Sequence, residues 1–156
     1  MKLIGIVVRL GLAAVLVSLL VVVALAQDVK LRKNQVPRAV IAAFASSYPQ
    51  ATIRGYNREK ENGKVYYEVE STEGQTTRDI LYNSDGSIAE IEESIAVADL
   101  PAAATEALSA KYPGAVITSA EKITRGDITE YEAYAKAAKK RVSLEFDASG
   151  KPLKKT

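Results

Sequence analysis

The sequence predicts an α+β fold, a tandem repeat of one helix plus a four-stranded antiparallel meander. Both helices are expected to pack on one face of a sheet of up to eight strands. Three observations carry this. The stretch VPRAVIAAFASSYPQATI from Val36 to Ile53 recurs as LPAAATEALSAKYPGAVI from Leu100 to Ile117. The interval of 64 residues then holds, without a gap, through the segments that follow. Within those segments Val65, Tyr67 and Val69 alternate with Tyr66, Glu68 and Glu70, the two-residue period of a half-buried strand.

Taken in order, residues 1–26 read as a signal peptide. Lys2 and Arg9 give a basic start, an apolar run reaches Leu25, and Ala24-Leu25-Ala26 offers a small-residue cleavage site. The competing reading is an uncleaved anchor, because the run approaches the ~17 residues that a span needs. Contact with a membrane is expected only through this segment. Residues 27–35 form a short basic leader, expected to be loosely held. The first repeat spans 36–99 and the second 100–156.

Each repeat opens on a helix. Val36, Val40, Ala43, Phe44 and Tyr48 make one apolar stripe, matched by Leu100, Ala104, Ala107, Leu108 and Tyr112. Pro37 and Pro101 suit the first turn, where a missing N–H is tolerated, and Asp99 is a plausible N-cap. Pro49 and Pro113 end the helices, since a residue before proline avoids the helical region. Strands are expected over 51–60, 64–71, 75–82 and 87–93, with turns at Asn62-Gly63, Glu73-Gly74 and Asp85-Gly86. The second repeat follows the same register, Leu144 and Phe146 standing for Ile80 and Tyr82. Residues 131–141 (YEAYAKAAKKR) favour helix by propensity, but their alignment with the first repeat assigns strands. Pro152 cuts the last strand short, as suits an edge.

Composition narrows the function. The chain has no His and no Cys, which removes the commonest general base, the thiol nucleophile and the usual zinc ligands. Glu68 and Glu132 recur at one position of the repeats, but solvated strand carboxylates are ordinary. Asn83-Ser84-Asp85-Gly86 begins like a calcium loop, yet its twelfth position is Ser94 rather than a bidentate Glu, so a hairpin turn is expected. Without Lys2 and Arg9 the acidic and basic residues are equal in number, so nucleic-acid binding has no basic excess to support it. No cofactor or metal is expected.

A P-x-A-x-x-x-A-[FL] helix, a Tyr-Pro exit and a Tyr-Glu in the second strand occur in both repeats, behind a signal segment. In these features the chain resembles the PepSY-like family of exported bacterial proteins, grouped with the β-lactamase-inhibitor-protein (BLIP) fold. The resemblance covers about Val36 to Leu153 and implies a sheet whose open face grips another protein, and a periplasmic or secreted location. PepSY domains are also linked with restraint of proteases. The inhibitors proper carry disulfides in their repeats, and this chain has no cysteine, so β-lactamase inhibition is not carried over.

The reading that results is a non-enzymatic exported module that binds or inhibits an envelope or secreted protein or peptide through the open sheet face. By alternation that face carries Arg54, Tyr56, Tyr66, Glu68, Tyr134 and Arg141, and Tyr and Arg are enriched at binding hot spots. The alternative is small-molecule or envelope-polymer binding between the repeats.

Overall fold

The computed structural model describes residues 29–61 and 63–154. The expected signal peptide over 1–26 lies outside the described residues. Eight strands form a single antiparallel sheet whose spatial order is the chain order. They are β1 (Val29–Lys30), β2 (Thr52–Glu61), β3 (Lys64–Glu73), β4 (Thr76–Tyr82), β5 (Ile88–Ile95), β6 (Val116–Arg125), β7 (Ile128–Ala137) and β8 (Lys140–Asp147). Helix α1 (Arg38–Ser47) precedes β2, and α2 (Ala102–Lys111) precedes β6. A 3-10 turn introduces each helix, at Lys33–Gln35 and at Val97–Asp99. Among the described residues the fold is two helices on an open antiparallel sheet.

The helices begin and end as their prolines dictate. Pro37 and Pro101 stand at the N-cap positions, and Asp99 belongs to the 3-10 turn instead of capping α2. At the other end the N–H of Tyr48 donates to Phe44 O at 2.9 Å and that of Tyr112 to Leu108 O at 2.8 Å. Pro49 and Pro113 cannot extend that ladder. Residues 131–141, helical by propensity, form the end of β7, a turn at Ala138-Lys139 and the start of β8: Ala133 and Ala135 of β7 are buried in the core and register opposite Leu144 and Val142 of β8. Burial and pairing override a weak propensity here.

Two core clusters lie on the same sheet face. Val40 and Phe44 of α1 pack with Val36 on Val69, Ile80 and Tyr82. Ala104 and Leu108 of α2 pack with Leu100 on Ala133, Leu144 and Phe146. β5 joins them, because Ile91 packs against the first cluster and Ile95, on the same side of that strand, against the second. Each large apolar side chain so buried contributes about 1.5–3 kcal/mol. Among the described residues no helix lies on the opposite sheet face.

The eight strands are not the four and four that the sequence suggests. In the second half the fourth strand shrinks to one bridge, Phe146 to Pro152, plus Leu153 N–H to Glu145 O at 2.8 Å. The remaining strand is β1, from the stretch read as loosely held. Val29 registers with Arg58 and Lys30 with Asn57, Leu31 N–H donates to Tyr56 O at 2.8 Å, and Leu31 packs on the first core. A two-residue strand is too short to show a period, and only its apolar Val29 and Leu31 hint at it.

Candidate binding face

The free face is built by the side chains that alternate away from the cores. One row crosses Glu70, Asp79 and Glu92, on β3, β4 and β5, and continues to Ile123 of β6. A second crosses Ser94, Glu121, Glu132 and Glu145 from β5 to β8. Glu90 lies beside Leu81 between β4 and β5. Leu81 and Ile123 are only 8% and 5% exposed although no helix covers them. Their registered neighbours are Glu68 and Glu90 for Leu81, and Glu92 and Glu130 for Ile123, and the aliphatic stems of such side chains cover apolar surface.

The carboxylates are held in specific contacts. Arg54 pairs with Asp79 at 2.9 Å. Arg125 reaches both Glu90 and Glu130. Elsewhere neutral donors serve: Asn57 Nδ2 donates to Glu68 and, at 2.8 Å, to Glu70. The Tyr134 hydroxyl lies 2.8 Å from Glu132 and 3.2 Å from Glu121. Burial pushes the Tyr134 phenol up, and hydrogen bonding to Glu132 adds to it.

Crowded like charges show in the titration of this face. Burial, then the hydrogen bond with Glu90 and repulsion from Glu90, Glu121 and Asp79, push Glu92 up to about 8. Burial also raises Asp79, with the Arg54 guanidinium opposing it. Glu121 is raised by burial against the opposing hydrogen bond from Tyr134. Each of these groups is less acidic than a solvated carboxylate, and each stands to gain from a cation brought close.

Of the residues expected on this face, Arg54, Tyr66, Glu68, Tyr134 and Arg141 are there. Tyr66 has the Lys64 ammonium 5.0 Å from its ring centroid, and Arg141 is exposed on β8, opposite Lys136. Tyr56 is not. The register of β2 shifts between Ile53 and Gly55, so Tyr56 stands opposite Val69 and packs into the first core. One extra residue reverses the faces of everything after it, and Gly55 inside a strand is the signal for it. Glu68 and Glu132 lie four strands apart, roughly 19 Å at the usual spacing, and form no catalytic pair. Sequence alternation does not show the closeness of Glu90, Glu92 and Glu121, which depends on register across strands.

Among the described residues, grooves also lie off this face. One runs between the first 3-10 turn and α1, lined by Lys33, Val36, Arg38 and Ile41. Its counterpart at α2 is lined by Val97, Leu100 and Thr105. Another follows the β8 edge past Tyr112, Leu144 and Leu153.

The sequence matches the family described as beta-lactamase-inhibitor-like, PepSY-like, over residues 24–75 and 65–154. The chain belongs to that family. No curated relative matches it. Among solved structures, this PepSY-like chain is similar to a candidate periplasmic protein from Bacteroides eggerthii, at 15% identity and a TM-score of 0.62, over 76% of this chain and 86% of that one. A DUF2874 family protein from Bacteroides ovatus is 17% identical with a TM-score of 0.59, over 76% and 85% of the two chains. A BLIP-like protein from Bacteroides fragilis is 21% identical with a TM-score of 0.57, over 76% and 84%. At these identities the likeness is one of fold.

Proposed function

We propose that this PepSY-like protein is an exported, non-enzymatic module that docks a protein or peptide on its open sheet face. The observation that carries the reading is the asymmetry of the sheet. Both helices and both cores occupy one side, while the other presents tyrosines, arginines and ordered carboxylates around apolar Leu81 and Ile123. Amphipathic aromatic and arginine side chains around a small apolar centre suit a protein interface. The recurrence of the 3-10 turn, helix and three strands after 64 residues supports two copies of one unit, 36–99 and 100–156, sharing that face. Candidate periplasmic descriptions of fold relatives and the apolar N-terminal segment support work in the periplasm.

Photo-cross-linking tests this. A benzoylphenylalanine replaces Tyr66 or Tyr134 on the open face, or exposed Ala39 on α1, in cells producing the full chain. Adducts from the two sheet positions and not from Ala39 are expected. Adducts from Ala39 alone, or equally from all three, would count against the docking face.

A further inference from the structure

We infer that the occupant of the open face is a cationic stretch of protein chain, carrying arginine or lysine side chains. This rests on the docking reading above and names the chemistry of its partner. The argument is one of charge complementarity on an unpartnered sheet face. From β3 to β8 the face carries Glu70, Asp79, Glu92, Glu121, Glu132 and Glu145 in registered rows. Arginine answers part of that charge, at Asp79, Glu90 and Glu130. Glu70, Glu121 and Glu132 instead accept from Asn57 and Tyr134, which fix the carboxylates in place and leave their charge uncancelled.

Shape and length agree with the charge. Six strands at the usual spacing of ~4.8 Å carry the carboxylates over roughly 24 Å. An extended segment of about seven residues spans that distance, whereas a single ion meets only one part of it. Leu81 and Ile123, buried between the carboxylates, give a floor for the aliphatic stems of arginine or lysine while the charged heads reach the acids. Apolar surroundings strengthen each such pair over its value in water. Burial first, and neighbouring carboxylates second, raise Asp79, Glu92 and Glu121, and an arriving cation opposes both effects.

The test uses the chain from Gln27 onward and four synthetic peptides of about twelve residues, alternating leucine with Arg, Lys, Glu or Ser. Amide shifts locate binding, and titrations at 50 and 300 mM salt measure it. The Arg and Lys peptides are expected to shift amides of β4 to β7 and to lose roughly tenfold or more in affinity at the higher salt. The triple variant E92Q/E121Q/E132Q is expected to bind at least tenfold more weakly, with an unchanged circular dichroism spectrum and a Tm that does not fall. Equal binding of the Ser or Glu peptide on this face overturns the cationic occupant and leaves the docking reading standing. Spermidine or calcium matching the Arg peptide in shifts and affinity overturns the protein segment in favour of a small cation. Absence of any shift on the face overturns the inference, and the cross-linking result then decides the docking reading by itself.

Discussion

Tyr82 and Phe146 stand at the same place in the two cores, 64 residues apart, and both are 0% exposed. They differ by one hydroxyl. The Tyr82 Oη finds no hydrogen-bond partner among the described residues, and burial raises its pKa. An unmet buried hydroxyl costs about 1–3 kcal/mol, while the ring keeps its packing without it. Tyr82→Phe is therefore expected to leave the fold intact and raise stability by ~1 kcal/mol in urea unfolding; a loss of stability would reveal a partner for the hydroxyl. Glu92 makes a second prediction at this scale. A carboxyl whose pKa is raised on folding holds its proton more tightly in the folded chain. That contribution is fully present below the ordinary value of 4.5 and is lost as pH rises through about 8. Stability should fall across this window by about 1–2 kcal/mol, after discounting for solvent screening. Facing Glu92 are Glu90, Asp79 and Glu121, with Arg125 next to Glu90. With Glu92→Gln the Tm profile between pH 5 and 9 should flatten, and the variant should melt above the parent at pH 9. An unchanged slope would mean that Glu92 is ionised throughout.

The turn after β4 and the turn after β8 lock each helix to its sheet. In the first, Gly86 N–H donates to Asn83 O at 2.9 Å, and Asp85 Oδ1 accepts from the Ser87 N–H at 2.9 Å and hydroxyl at 2.6 Å. It is the hairpin turn that Asp-Gly announces. Gly86 and Gly150 both hold φ +86, and an added Cβ would stand 2.7 Å from the Ala39 carbonyl oxygen or from the Ala104 nitrogen. Helix and turn are that close. Gly86→Ala is expected to cost about 2–4 kcal/mol in chemical denaturation, strain plus displacement. Gly74→Ala is the control: its φ is +61 with nothing within 4 Å, so only about 1 kcal/mol of strain applies. Equal losses would deny that helix contact matters. The same scale shows what the sequence made legible. Helices, turns and seven of the eight described strands follow from alternation and from a repeat that aligns proline with proline and glycine with glycine, strongly enough to overrule the helical propensity of residues 131–141. The β-bulge at Ile53–Gly55 escaped because alternation counts residues and a bulge adds one, and it moved Tyr56 into the core. The closeness of Glu90, Glu92 and Glu121 escaped because neighbours across strands depend on register, which a single strand does not display. The reverse side of the first unit carries a similar surprise. Arg78, 15% exposed, pairs with Glu73 and Glu93 over the Tyr48 ring, whereas its counterpart 64 residues on is Val142.

At the scale of the molecule the question is whether the two proposed units make one folding entity. A repeat array is stable by the sum of its units and the interfaces between them, and about 60 residues alone are marginal. The interface here is continuous sheet: β5 registers with β6 from Ile91 opposite Thr124 to Ile95 opposite Ala120. Backbone pairing at that seam is of the same kind as within either unit, and Ile91 and Ile95 commit one strand to both cores. Leu108, 1% exposed at the centre of the second core, measures the coupling. Leu108→Ala removes about 2–5 kcal/mol, comparable with all that a unit of this size has to itself. If the units were independent, β7 and β8 would lose amide-exchange protection while β3 and β4 kept theirs. Because β5 serves both cores, protection in β3, β4, β7 and β8 is expected to fall together, by the same free energy, with one transition in thermal unfolding. Selective loss in β7 and β8 would instead make the seam a hinge, and a face that flexes at β5 could not hold its rows of carboxylates in register for a partner spanning both units.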